Sequence, residues 1–220
     1  MNSFSRKNTH LLFIGDSITE CGRQLLNPLG NGFVSIIAKQ LKKNMPKLRV
    51  SNCGMGGNIS ADLALRWQQD CLDLKPTIVS ILIGINDTWR HFDQGVSTGL
   101  DAFEQNYRSI LDRTVTTLNP TLILCEPFLL PVSDEQKLWH VDLNPKRRLV
   151  RGLANEYNAH FVPLQKAFQN AAAFSPPETY ASDGVHPTEK GHALIAETWM
   201  MTVIGEQRPT AAKFETSLCI

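Results

Sequence analysis

Short apolar runs alternate along this chain with longer segments of helical periodicity. The apolar runs, bounded by glycine, proline or polar residues, predict five buried strands over 10–14, 48–52, 78–83, 121–125 and 160–164. The periodic segments predict helices over about 33–41, 59–74, 100–118, 146–158 and 193–204. Three prolines within 126–145 indicate an extended loop. This alternation predicts an α/β fold built on a doubly wound parallel sheet with right-handed crossovers.

The third apolar run indicates where chemistry should be sought. Residues 78–83 are β-branched or apolar on both faces of the predicted strand, apart from one serine. Such a strand belongs inside a parallel sheet that is covered on both sides. Since ligands of these sheets bind beyond the carboxyl ends of the strands, functional residues are expected directly after strands one, two and three.

Composition and charge narrow the class of protein. The 220 residues include 22 Lys and Arg against 21 Asp and Glu, a net charge of +1, which does not favour nucleic acid or an anionic membrane as partner. The first apolar run stops at Gly15, too early for a signal peptide, and no run reaches membrane-spanning length. Five widely spaced cysteines favour reduced thiols in a cytoplasmic protein. We expect one domain over 1–220, with a frayed polar tail at about 206–220.

Four short polar blocks occur at the predicted strand ends and before the last helix. In chain order they are Gly15-Asp16-Ser17, Asn52-x-Gly54-x-x-Gly57, Gly84-x-Asn86-Asp87 and Asp183-x-x-His186. Each block alone is a weak signal, because glycine, aspartate and serine are ordinary turn residues. Together, in this order and at these positions, they fit the requirements of acyl transfer.

The first and last blocks supply a nucleophile and its activating groups. A serine hydroxyl such as that of Ser17 is a poor nucleophile until a base takes its proton, and His186 is the natural base. Asp183, three residues earlier, can bond the far imidazole nitrogen and hold the tautomer. The alternative is that Ser17 is only a turn or N-cap serine and that His186 merely precedes a helix.

The same blocks supply candidate donors for a tetrahedral oxyanion. These donors are the backbone N–H groups of Ser17 and Gly57 and the side-chain amide of Asn86. The glycines of the second block could instead cradle a phosphate at a helix N-terminus, although their pattern is not the dinucleotide fingerprint. Asp16 and Asp87 are expected to tie loops together by accepting backbone hydrogen bonds.

With these blocks, the chain resembles the SGNH hydrolases, also called the GDSL esterase/lipase family, over about 11–204. The resemblance implies a three-layer α/β/α flavodoxin-like fold with a five-stranded parallel sheet. It also implies Ser17, Asp183 and His186 as catalytic residues, and Ser17, Gly57 and Asn86 as the oxyanion hole. A serine esterase acting through an acyl-enzyme is therefore expected.

Segments 12–23, 29–32 and 83–90 resemble more closely the bacterial intracellular acetylxylan esterase branch. That resemblance implies removal of acetyl groups from xylo-oligosaccharides, no metal or other cofactor, and assembly as a homo-oligomer. Two alternatives remain open. One is a lysophospholipase or thioesterase with a longer acyl chain, and the other is a binding module that has lost activity.

Aromatic and basic residues follow the third block. Trp89 and Arg90 should lie at the mouth of the cleft, where the indole could stack on a sugar ring or simply cover the edge of the core. Trp139, in the predicted loop, could form part of a lid or an oligomer contact.

His192 lies on a different helical face from His186, so a two-histidine metal site is not favoured. Cys21 is either a reactive thiol or a residue buried under the first helix.

Overall fold

A computed structural model describes residues 8–96 and 98–205, in which five strands form one parallel sheet. The strands are β1 (His10–Gly15), β2 (Arg49–Gly54), β3 (Ile78–Leu82), β4 (Thr121–Cys125) and β5 (His160–Val162). Their spatial order is β2-β1-β3-β4-β5, which confirms the expected fold. Gly15 at the end of β1 aligns with Gly54 of β2 and Leu82 of β3, so three strands end together at one edge. The predicted tail at 206–220 lies outside the described residues.

Nine α-helices connect or flank the strands in the described part of the chain. They are α1 (Ser17–Glu20), α2 (Phe33–Lys42), α3 (Ser60–Trp67), α4 (Ile85–Gln94), α5 (Leu100–Thr117), α6 (Asp134–Leu138), α7 (His140–Glu156), α8 (Leu164–Ala171) and α9 (Glu189–Val203). One π-helical turn (Gln68–Leu72) extends α3, and two short 3₁₀ turns (Ala172–Phe174 and Pro177–Thr179) precede α9. None of the helices over 8–96 and 98–205 is long and apolar enough to cross a membrane.

Alternate side chains of the central strands point to two separate hydrophobic clusters. Phe13 of β1 packs on one face against Phe33 of α2 and Trp199 of α9, with ring centroids 5.7 and 5.6 Å apart. Its neighbour Leu12 belongs to the other cluster, which α3, α5 and α7 cover. Because successive strand residues face opposite sides, a run such as 11–14 must be apolar throughout to bury both faces. The sheet is therefore the middle of three layers.

The expectation of an extended loop over 126–145 is wrong. This segment contains α6 and the beginning of α7, and Pro145 lies inside α7. The Ser133 hydroxyl accepts from the Gln136 N–H at 3.2 Å and caps α6. A serine followed three residues later by glutamine is a helix-start pattern, and it outweighs the prolines here. Three further helices, α1, α4 and α8, were not predicted.

Candidate active site

The β1 strand delivers Ser17 to the carboxyl edge of the sheet. Asp16 is the N-cap of α1, and its side chain accepts from the Ile18 N–H at 3.0 Å. Only a glycine fits before it, because a Cβ on Gly15 would lie 2.1 Å from the Leu82 carbonyl oxygen of β3. The close strand contact and the cap together place Ser17 at the first position of α1, beside the end of β3.

The structure brings together the three residues of the predicted triad. The Ser17 Oγ lies 3.0 Å from His186 Nε2, although 169 residues separate them in the sequence. His186 Nδ1 lies 2.6 Å from Asp183 Oδ2. A carboxylate on Nδ1 keeps the proton at that nitrogen and leaves Nε2 free to accept one from the hydroxyl. The arrangement therefore suits general-base activation of Ser17.

The Asp183 carboxylate also organises its own loop. Its Oδ1 accepts from the backbone N–H groups of Val185 at 3.0 Å and His186 at 2.7 Å. Partial burial acts to raise the pKa of Asp183, but the hydrogen bonds from the His186 ring and from these two N–H groups outweigh it and hold the pKa below its usual value. Asp183 therefore remains ionised beside the imidazole at neutral pH.

Gln136 of α6 holds the loop from outside. Its Nε2 donates to the Asp183 carbonyl at 2.7 Å, and its Oε1 accepts from the Val132 N–H at 2.9 Å. Nearby, the Leu130 N–H donates to the Gly184 carbonyl at 2.9 Å. Sequence reasoning missed this contact. The signal for α6 was present in the capping pattern, but nothing local indicates that Gln136 reaches a loop 47 residues away.

The candidate oxyanion donors lie at the neighbouring strand ends. Asn86 is buried at the start of α4, and its Nδ2 donates one hydrogen to the Asn58 carbonyl at 3.0 Å, leaving the second available. Gly57 adopts a left-handed φ of +73°, which favours glycine. Within 8–96 and 98–205, the backbone N–H groups of Ser17 and Gly57 donate to no protein acceptor. All three donors are therefore available to a substrate oxygen.

Arg66 of α3, which the sequence did not single out, ties the loops around the site together. Its Nη2 donates to the Gly15 carbonyl at 2.8 Å and its Nη1 to the Cys53 carbonyl at 2.8 Å. Its Nε donates to Asn58 Oδ1 at 2.6 Å. A planar guanidinium with five N–H groups can satisfy several acceptors at once, which a lysine could not do in this geometry.

Two buried carboxyl groups lie under the site and tie loops together, as predicted. Asp87 accepts from the Ser60 backbone N–H at 3.0 Å and from its hydroxyl at 2.6 Å. Asp16 accepts from the Ile18 N–H through Oδ1, while Oδ2 has no partner within the described residues. Complete burial raises the pKa of Asp16 to about 7. Protonation of Asp16 therefore favours the folded state.

Replacing Asp16 by asparagine should flatten part of the pH dependence of stability. The folded pKa of about 7 exceeds the ordinary 3.8, so the stabilising effect of the proton is complete below about pH 4 and is lost as the pH rises towards 7. At roughly 1.4 kcal/mol per pH unit, the free energy of unfolding of D16N relative to the wild type should rise by about 3 kcal/mol from pH 5 to pH 8. Urea unfolding across this range measures it. The exposed Asp101→Asn is the control, and parallel curves for D16N and wild type would contradict the expectation.

An aromatic wall borders the imidazole. The Trp89 ring centroid lies 5.7 Å from that of His186 and 5.6 Å from that of Trp139, which stacks in turn on Phe92. Trp89 is half-buried against the core, whereas Trp139 is only 5% exposed. Trp139 therefore supports Trp89 from behind and does not form a free lid.

Arg90 lies one helical turn beyond Asn86 on α4. Its Nη2 donates to the Gly57 carbonyl at 2.5 Å and lies 3.9 Å from Asp62 Oδ2. The structure thus places Arg90 near the cleft, as the sequence predicted, but bound to the loop that carries Gly57.

Cys21 and His192 form a contact behind α1. The Cys21 Sγ lies 3.0 Å from His192 Nε2, and His192 Nδ1 accepts from the Phe33 N–H at 3.2 Å. Burial, with a smaller effect of the nearby His186 charge, lowers the pKa of His192 to about 4, and burial raises the pKa of the Cys21 thiol. The pair is neutral, and it joins α1 to α2 and α9.

Comparisons with known proteins agree with this fold. The sequence profile of the GDSL-like Lipase/Acylhydrolase family matches residues 13–194. An acetylxylan esterase from Geobacillus stearothermophilus is 37% identical over 205 residues, which cover 88% of this chain and 93% of that protein. The chain therefore belongs to the GDSL-like lipase/acylhydrolase family, and it is a carboxylic ester hydrolase with the SGNH fold.

Solved structures extend the likeness to three dimensions. A GDSL-like lipase from Parabacteroides merdae ATCC 43184 superposes with a TM-score of 0.84 and 34% identity, covering 90% of this chain and 96% of that one. Axe2, an acetylxylan esterase from Geobacillus stearothermophilus, superposes with a TM-score of 0.82 and 35% identity, covering 89% and 94%. Similar structures of Axe2 include catalytic mutants with a serine, a histidine or an aspartate replaced by alanine.

Proposed function

We propose that this protein hydrolyses short-chain esters, above all acetyl esters of carbohydrates such as xylo-oligosaccharides, through Ser17, His186 and Asp183. The observation that carries the proposal is the 3.0 Å contact between Ser17 Oγ and His186 Nε2, with Asp183 on the far nitrogen. A hydroxyl, an imidazole and a carboxylate in this sequence of contacts form the arrangement that activates a serine for acyl transfer.

The first half-reaction forms an acyl-enzyme. Ser17 Oγ attacks the ester carbonyl carbon while His186 Nε2 takes the hydroxyl proton, and Asp183 stabilises the imidazolium that forms. The negative charge on the carbonyl oxygen is met by the N–H groups of Ser17 and Gly57 and by the Asn86 amide. When the tetrahedral intermediate collapses, the bond to the leaving alcohol breaks and His186 returns the proton to the alcohol oxygen.

The second half-reaction regenerates the serine. A water molecule takes the place of the alcohol and gives a proton to His186 Nε2 as its oxygen attacks the acyl carbon. The same three donors hold the second oxyanion, and collapse releases the carboxylic acid as Ser17 recovers its proton. No part of this cycle needs a metal or a cofactor.

Two observations support an acetylated sugar as substrate. The acetylxylan esterase relatives share 34–37% identity with this chain over most of its length. In addition, Trp89 presents an aromatic ring next to His186, where the leaving alcohol of an ester must lie to receive its proton. Indole rings stack on the apolar faces of sugars, so we propose Trp89 as a substrate-binding residue.

A panel of esters tests the substrate. We expect kcat/KM on nitrophenyl acetate to exceed that on the C8 ester, and acetylated xylosides to release acetate. Preference for C8 or longer acyl chains would contradict the acetyl proposal and favour a lysophospholipase or thioesterase. Hydrolysis of none of these esters would contradict the proposed function as a whole.

Substitution of Asn86 should weaken transition-state binding. Loss of one oxyanion donor typically lowers kcat by about 10²- to 10³-fold, so N86A should show this loss with little change in KM. Steady-state kinetics on an acetate ester measure both constants. The exposed Asn155→Ala on α7 is the control. A rise in KM at constant kcat would place Asn86 in ground-state binding instead.

We also propose a cytoplasmic location and a homo-oligomeric assembly. The location rests on the odd number and wide spacing of the cysteines.

The proposed homo-oligomeric assembly rests on apolar side chains that are almost fully exposed, those of Leu25, Leu26 and Phe174. Sedimentation equilibrium tests the assembly, and a monomer at all accessible concentrations would contradict it.

A further inference from the structure

The loop that presents Gly57 is a turn that the Asn58 N–H closes by donating to the Met55 carbonyl at 3.3 Å, and the Gly56 N–H donates to Glu20 Oε2 at 2.8 Å. Gly56 and Gly57 lack a Cβ, and Gly57 has a φ of +73°, so sterics alone do not restrict the direction of its N–H. Yet an oxyanion donor contributes to catalysis only if it is held in place before the charge develops. The orientation of this N–H must therefore be imposed by neighbouring groups.

The carbonyl groups beside this N–H are held by one face of α4. Arg90 donates from Nη2 to the Gly57 carbonyl at 2.5 Å, and Asn86 donates from Nδ2 to the next carbonyl, that of Asn58, at 3.0 Å. Asn86 and Arg90 are four residues apart on α4, so their side chains project from the same face. One helix thus carries the amide donor of the oxyanion hole and binds the loop that carries a backbone donor.

We propose that Arg90 is a positioning residue of the oxyanion hole, acting through the Gly57 carbonyl to direct the Gly57 N–H. This inference rests on the proposed function and deepens it. The sequence suggested Arg90 as a substrate-binding residue, whereas its contact with Gly57 points to a role in the oxyanion hole. A hydrogen bond from a guanidinium is charge-assisted and stronger than a neutral one, which suits it to hold a flexible glycine. The Asp62 carboxylate, 3.9 Å away, adds electrostatic support to the guanidinium.

Steady-state kinetics separate positioning from substrate binding. In Arg90→Met the apolar stem remains but the donor to the Gly57 carbonyl is lost. We therefore expect kcat to fall by about 10- to 100-fold with KM nearly unchanged, which is less than the loss expected when an oxyanion donor is removed entirely. Arg90→Lys, which keeps one cationic donor, should recover a large part of kcat. The matched control is Arg113→Met, because Arg113 also donates to a backbone carbonyl, that of Ala64 at 3.2 Å, away from the site. It should leave both constants unchanged.

Each other outcome overturns the inference. A rise in KM at constant kcat for R90M would make Arg90 a substrate contact, and unchanged kinetics would remove its role. Equal losses in R90M and R90K, together with a lowered melting temperature in both, would show a merely structural role. Failure of the proposed function can be distinguished from failure of this inference. In the first case the wild-type protein itself hydrolyses no ester, and in the second the wild type is active but the variants do not behave as expected.

Discussion

Ser17→Ala should lose ester hydrolysis almost completely while the fold is retained. Removing Oγ removes the atom that we propose forms the acyl-enzyme, and loss of a serine nucleophile lowers kcat on the order of 10⁶-fold. The Ser17 side chain is half-buried at the edge of the sheet and Ser17→Ala removes only one oxygen atom, so the melting temperature should stay close to that of the wild type. Hydrolysis of nitrophenyl acetate and thermal unfolding, measured on the same preparation, test both parts.

Covalent labelling gives an independent measurement for the same residue. A phosphonate ester should react with the wild-type protein, and peptide mass spectrometry should find the adduct on Ser17. A suitable control is Ser35→Ala, because the Ser35 hydroxyl only donates to the Gly32 carbonyl at 3.0 Å. Near-normal turnover of S17A, or an adduct on another residue, would contradict the assignment.

Asp183→Asn should also lower kcat strongly, although less than Ser17→Ala does. The amide keeps an oxygen for the Val185 and His186 N–H groups, but it presents an NH₂ group to Nδ1. That contact favours the tautomer with the proton on Nε2, which cannot accept the hydroxyl proton from Ser17. We expect kcat to fall by about 10³- to 10⁴-fold, as tautomer reversal does in serine hydrolases.

The same steady-state assay measures this effect, with Asp101→Asn as the control. Asp101 is exposed in the first turn of α5 and should be neutral to activity. A loss of less than tenfold in D183N would show that another acceptor orients His186. A large loss accompanied by unfolding would instead reflect the loop contacts of the carboxylate, and circular dichroism distinguishes the two.

The parts of the fold that local pattern determines were predictable. The central strands could be located because a strand covered on both faces is apolar at nearly every position, as in 11–14 and, apart from Ser80, in 78–83. The edge strands β2 and β5 were located from short runs bounded by turn residues. The four polar blocks indicated the candidate site because the carboxyl ends of neighbouring parallel strands lie at one edge of the sheet. The first three blocks lie at the ends of β1, β2 and β3. The pairing of Ser17 with His186 followed from chemistry rather than from any local signal.

Other features depend on contacts between distant segments and leave no local pattern. Helix α4 is only ten residues long and polar on average, so its few apolar positions do not stand out in the sequence as a helical segment. In 126–145 the prolines suggested a loop, although Pro145 is accommodated within α7. Similarly, Arg66 could not be recognised, because its contacts with Gly15 at the end of β1, and with Cys53 and Asn58 at and after the end of β2, arise only in the folded chain.

The bond from Gln136 to the Asp183 carbonyl has a consequence for how relatives of this enzyme diverge. The proposed acid and base, Asp183 and His186, lie on one loop, and that loop is bound by helix α6, which carries none of the proposed reacting groups. Substitutions in α6 can therefore change kcat while every reacting group stays the same. Two homologues with identical reacting groups need not share a rate, and exchanging this one helical turn between them is a route to tuning catalysis from outside the crevice.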